Sequence, residues 1–151
     1  MIGDATAEAS PAPGTALGSL SMAATRAFPV VYATNVARTA GFWERLGFIR
    51  FFQLPDDGEP GYVGLRRGDS ELAVVAAEWP GQQYGLKVGE GPRFEMFVYV
   101  DDVDSLVAEL ASAGVAVLHG AVDMPWGERV AAITDPDGNP VSLANEPSPS
   151  G

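Results

Sequence analysis

The chain carries one pattern twice. An apolar run of strand length, a helix-capping residue, an amphipathic helix closed by glycine and three further short apolar runs occur in that order, then recur about 65–70 residues later. This repeat constrains the fold more than any other feature, because each copy leaves an apolar sheet face that needs a partner.

The first copy opens with Phe28 to Ala33, an apolar run of strand length. Asn35 suits a helix N-cap, where its side-chain oxygen accepts from a free backbone amide. Val36, Ala40, Trp43 and Leu46 follow at helical spacing, and Gly47 suits the left-handed position that ends a helix. Strands are predicted at Phe48–Leu54, Tyr62–Arg67 and Glu71–Ala76, with turn chemistry between them at Pro55–Gly58 and Gly68–Asp69.

The second copy restarts with a strand at Phe94–Val100. Asp102 is the N-cap, Val103, Leu106, Val107 and Leu110 form the apolar stripe, and Gly114 closes the helix. Strands follow at Val115–His119, Arg129–Thr134 and Val141–Ala144, the last two joined by Asp135 to Asn139, a strong hairpin signal. The fold expected is α+β: two tandem βαβββ modules forming a cupped half-barrel sheet with the helices outside. Its concave surface is the natural place for a ligand. Phe42, Trp43, Phe48 and Phe94 are expected in the core.

Residues 1–25 are rich in Ala, Pro, Gly, Ser and Thr without periodicity and read as a disordered tail, as does the short stretch 148–151. Residues 26–147 read as a single domain, with modules at about 27–78 and 92–146. Trp79 and Tyr84 fall in a Gly/Pro-rich connection between modules and are expected at the mouth of the cup.

Composition removes several functions. With no cysteine and one histidine, thiolate metal sites, disulfides and cysteine nucleophiles are excluded. Nine basic against twenty acidic residues leave a net charge of −11, which speaks against nucleic-acid binding. No apolar run approaches membrane-spanning length, so no membrane partner is expected. No basic segment followed by an apolar core precedes Arg26, the first positive residue, and the expected location is cytoplasmic.

Three segments carry a family resemblance over roughly residues 27–146. Asn35 to Phe48, with Phe42-Trp43 and Leu46-Gly47-Phe48, resembles the first helix of the vicinal oxygen chelate superfamily, Trp43 replacing a tyrosine. Val100 to Gly114 resembles its second helix, and Asp135 to Asn139 the turn before its last strand. That superfamily holds glyoxalase I, extradiol dioxygenases and the metal-free bleomycin-resistance binding proteins, to which this chain looks closest.

In metal-using members, four ligands project from the cup. The resemblance puts those positions at Phe28, about Ala73, Glu95 and Ser142. Phenylalanine and alanine have no donor atom and a neutral serine hydroxyl is a poor ligand, so no metal and no cofactor are expected. A one-residue slip that brought in Glu71 is expected to turn that side chain to the opposite sheet face. His119 falls away from all four positions and reads as an edge or interface residue.

Alternation places Phe28, Val30 and Tyr32 on one face of the first strand and Glu95, Phe97 and Tyr99 on the same face of the fifth. Phe52, Ala73, Val75, Ser142 and Ala144 are candidates to join them. Trp126, in Met124-Pro-Trp-Gly127, resembles the tryptophan that borders the drug groove in bleomycin-resistance proteins. The candidate ligand-binding residues are therefore Phe28, Val30, Tyr32, Phe52, Trp79, Glu95, Phe97, Tyr99, Trp126 and Ser142, with no catalytic residue assigned. Glu95 either hydrogen-bonds a ligand or acts as a base, or pairs with Arg93 at the rim. The function implied is sequestration of an aromatic or polycyclic natural product by a homodimer with a shared groove, as in antibiotic self-resistance. The alternative is an enzyme of the superfamily, either a metal-dependent lyase or dioxygenase with unusual ligands or a metal-independent isomerase using Glu95.

Overall fold

The computed structural model describes residues 25–145; the two expected tails lie outside them, apart from Thr25. The first module consists of β1 (Val30–Ala33), α1 (Val36–Arg45), β2 (Ile49–Leu54), β3 (Tyr62–Arg67) and β4 (Ser70–Ala76). A short helix α2 (Trp79–Tyr84) follows. The second module consists of β5 (Met96–Val100), α3 (Val103–Ser112), β6 (Val117–Asp123), β7 (Arg129–Thr134) and β8 (Pro140–Asn145).

The two sheets have the same order, β1-β4-β3-β2 and β5-β8-β7-β6. In each, the first strand runs parallel to the last and the remaining pairs are antiparallel. The protein is thus α+β, built from two βαβββ modules, and neither sheet closes into a barrel.

Both long helices start where their caps predict. Asn35 Oδ1 accepts from the Arg38 amide at 2.9 Å, and Asp102 Oδ1 from the Ser105 amide at 3.1 Å. Both stop at a glycine in the left-handed region, Gly47 and Gly114, with φ of 93° and 92°.

Several boundaries differ from the sequence reading. β1 begins at Val30 rather than Phe28, because Pro29 has no amide to donate to the ladder. β6 begins at Val117 rather than Val115, whose amide instead closes α3 on the Leu110 carbonyl at 3.0 Å. It then runs past Gly120 to Asp123 with an irregular register. The connection after β4 contains a helix, α2, with Pro80 in its first turn and Gly85 as a left-handed cap at φ 71°.

The helix-facing sides of the sheets share one core, in which Trp43, Leu65, Leu72, Val74, Ile133 and Leu143 are fully buried. Trp43 is its centrepiece. Its indole meets Phe42 and Phe48 edge-on, with centroids 5.1 and 5.5 Å away, and lies 6.5 Å from Phe94 of the second half. Polar links reinforce the junction: Thr34 Oγ1 donates to Asp137 at 2.6 Å and Arg67 Nη2 to the Tyr99 carbonyl at 2.7 Å. All four aromatic residues assigned to the core sit there, with Phe94 partly buried.

Candidate functional site

The strand register fixes what the opposite sheet faces carry. In the first module Val30, Ala73, Gly64 and Phe52 form one cross-strand row, and Tyr32, Val75, Tyr62 and Leu54 the next. In the second, Phe97, Ser142, Ala132 and His119 occupy the equivalent row, followed by Tyr99, Ala144, Val130 and Val122. Apart from Tyr62, small or short side chains on the central strands make a floor, with Ala73, Val75, Ala132 and Ala144 all buried. Larger groups on the outer strands stand above it. Phe52, Phe97 and Tyr99 remain 46%, 44% and 39% exposed, so each face is an open trough rimmed with aromatic rings.

The register break between Arg50 and Phe52 adds a ring that alternation missed. A bulge lets consecutive residues share one face. The Phe51 ring accordingly lies over Gly64, where an added Cβ would come within 3.1 Å of it. The Arg66 guanidinium covers Phe51 from above, 3.8 Å from its centroid. Phe52 meets Tyr62 edge-on at 5.7 Å.

Phe28 precedes β1, half-buried under the Arg26 guanidinium at 4.9 Å. That guanidinium also donates through Nε to Glu71 Oε1 at 2.9 Å and makes a second bond to the other carboxylate oxygen. These hydrogen bonds hold the Glu71 carboxyl below its usual range. Tyr62 is shifted up, chiefly by burial. Glu71 faces the trough, opposite Arg66 and two positions from Ala73. This corrects the sequence reading: a separation of two residues, not one, keeps Glu71 on the same face as Ala73.

In the second module, Trp126 sits in the β6–β7 turn, closed by Met124 donating to the Glu128 carbonyl at 2.8 Å and opened to a left-handed φ at Gly127. Its indole Nε1 donates to Glu128 Oε1 at 2.8 Å, and Tyr99 OH donates to Glu128 Oε2 at 2.7 Å. Phe97 and Tyr99 are 5.3 Å apart. Thus Tyr99 and Trp126 share one carboxylate, and Phe97 packs beside Tyr99. Glu128 itself had no motif to mark it; only its position two residues after Trp126 offered a signal.

The remaining candidates are placed as follows. Glu95, exposed just before β5, reaches Ser142 Oγ at 3.5 Å, while Arg93 turns instead to Asp137 at 3.7 Å. His119 is exposed on edge strand β6 and bonds its neighbour's carbonyl at 2.9 Å. Trp79 is half-buried on α2 and, among the described residues, makes no ring contact with the trough aromatics.

The four positions that the family resemblance assigns to metal ligands do not fit a metal. Phe28 and Ala73 offer no donor, Ser142 and Glu95 supply one hydroxyl and one carboxylate, and Glu71, on the same face as Ala73, is taken up by Arg26. Among the described residues, no three His, Asp or Glu side chains converge elsewhere on a point suited to a cation. A cleft of about 730 Å³ lies on the helix side, lined by Arg38, Phe42, Arg45, Gly114 and Asp135 among others. Its one buried carboxylate, Asp135, is already saturated by the Asp137 and Asn139 amides and the Asn139 side chain. No described helix is long and apolar enough to cross a membrane.

The family model for the Glyoxalase/Bleomycin resistance protein/Dioxygenase superfamily matches residues 25–143. No curated protein matches the chain. Among solved structures, TioX from Micromonospora sp. ML1 superposes with a TM-score of 0.65 at 22% identity, over 78% of this chain and 95% of that one. A lactoylglutathione lyase from Agrobacterium tumefaciens gives 0.59 at 20% identity, over 80% and 93%. A bleomycin-binding protein solved in complex with bleomycin gives 0.55 at 26% identity, over 81% and 98%.

Proposed function

The chain belongs to the glyoxalase/bleomycin resistance protein/dioxygenase superfamily, and on that premise we propose that it is a metal-free binding protein that sequesters an aromatic or polycyclic natural product. One observation carries the reading: large rings stand exposed over a mostly small-residue floor, while two of the four positions that the resemblance assigns to metal ligands, Phe28 and Ala73, have no donor atom. Stacking on such rings gains contact area at small entropic cost, because aromatic side chains have few torsions to freeze. The bleomycin-binding neighbour supports small-molecule binding by this fold.

The working unit is a single domain over 26–147, acting in the cytoplasm as a homodimer. The exposed rims of the two troughs support the dimer, since a second copy laid against them would turn open troughs into shared grooves. Protection then requires no covalent step; the ligand's reactive part is held away from its target.

Titration of the purified protein with bleomycin-type glycopeptides, quinones and enediyne-type polycycles, followed by tryptophan fluorescence, tests this directly. Quenching or a spectral shift with at least one class is expected, and its loss in Trp126→Ala. Silence across the panel would overturn the reading.

An enzymatic reading has one observation in its favour, the Glu95 carboxylate on the trough side beside Ser142. It requires turnover that Glu95→Gln abolishes, or metal bound in stoichiometric amount.

A further inference from the structure

We propose that the second module's trough selects cations: Glu128, fixed between Trp126 and Tyr99, receives a protonated amine or related cationic group on an aromatic ligand. This rests on the binding reading above and narrows its ligand class.

A carboxylate has room for about four hydrogen bonds. Two are taken by ring donors, Trp126 Nε1 at 2.8 Å and Tyr99 OH at 2.7 Å, one on each oxygen. Both donors are neutral, so they orient the group without cancelling its charge. No basic side chain among the described residues forms an ion pair with Glu128. The adjacent arginine does not serve: Arg129 points to the other face, where it donates to Asp104 at 2.8 and 3.0 Å and to Asp123 at 3.1 Å.

The result is an uncompensated carboxylate of fixed orientation, only partly exposed, with one lone pair per oxygen still available. The indole of Trp126 and the ring of Tyr99 meet it edge-on through their donors, Phe97 lies 5.3 Å beyond Tyr99, and the exposed faces of these rings attract cations. An ammonium beside this carboxylate would gain a charge-assisted hydrogen bond, while the planar body of the same ligand lies along the rings. A net charge of −11 on the whole chain favours the same sign of ligand at longer range.

The first module's trough is built differently. Its carboxylate, Glu71, is neutralised by Arg26, and Arg66 already covers Phe51. The two halves therefore share a backbone plan but differ in chemistry: Glu71 of the first is paired with Arg26, whereas among the described residues no ion pair involves Glu128 or Glu95 of the second.

Calorimetric titration with proflavine, a tricyclic cation, and acridine, the same ring system uncharged at mildly alkaline pH, tests the assignment. Proflavine is expected to bind the native protein more tightly, and Glu128→Gln to reduce that preference by about tenfold while leaving acridine binding nearly unchanged. Tyr99→Phe, which keeps the ring and removes one orienting donor, is expected to erode the preference part-way. Added salt is expected to weaken proflavine alone. Equal affinity for the two probes, or a preference that survives Glu128→Gln, overturns the cation assignment while leaving the binding reading intact. Failure of both probes to bind overturns the assignment and counts against that reading as well.

Discussion

At the residue scale, the most constrained polar groups lie in the turn from Asp135 to Asn139. Asn139 is fully buried, donates its amide side chain to Asp135 Oδ2 at 2.9 Å and accepts from the Arg93 amide at 2.8 Å. The turn signal was visible in the sequence, but its second task, anchoring the segment that leads into β5, required the distant Arg93. Asn139→Ala leaves a buried carboxylate and a backbone amide short of partners. A loss of about 2–3 kcal/mol is expected in urea unfolding.

Charge at this scale gives a pH prediction. Hydrogen bonds from Arg129, reinforced by its charge, hold the Asp104 carboxyl below the ordinary 3.8. The folded protein therefore binds fewer protons there than the unfolded chain. The associated stabilisation is complete above the unfolded-state value and disappears as pH falls through the depressed folded-state one. Because the pair is exposed, the effect is small. Asp104→Asn is expected to flatten the acid side of a plot of urea midpoint against pH; an unchanged slope would assign the acid sensitivity elsewhere.

At the element scale, the helices were more legible than the strands' starting points. Asn35 and Asp102 cap α1 and α3, because capping depends on a side chain three residues from the amide it serves. Asp102→Ala is expected to cost about 1 kcal/mol, read as a lowered urea midpoint with the fold retained. Strand beginnings depend on what each amide does elsewhere, as Val115 illustrates by closing α3 rather than opening β6. The bulge in β2 was equally hidden, since a period-two pattern assigns Phe51 and Phe52 to opposite faces. Alternation consequently found Phe52 and missed its neighbour, which covers Gly64. α2 was obscured by the composition of Trp79 to Tyr84, whose proline and glycine resemble a linker.

At the scale of the whole molecule, the repeat legible in the sequence is the architecture: two sheets of identical order on one shared core. The division of labour between faces was also legible, because alternation sends Val31 and Val98 to the core and Val30 and Phe97 to the trough. The chemistry of the two troughs was not. Arg26 reaches Glu71 across 45 positions, and Tyr99 meets Glu128 across 29, and neither pairing has a local signature.

The central claim is that the trough faces, not the helix-side cleft, receive an aromatic ligand. Two-dimensional NMR of labelled protein titrated with bleomycin and with a naphthoquinone tests it most directly. The result expected with at least one of them is shifts concentrated on the ring resonances of Phe52, Phe97 and Tyr99 and on the Trp126 indole. Shifts centred instead on Arg38, Phe42 and Gly114, with the trough rings unmoved, would contradict it.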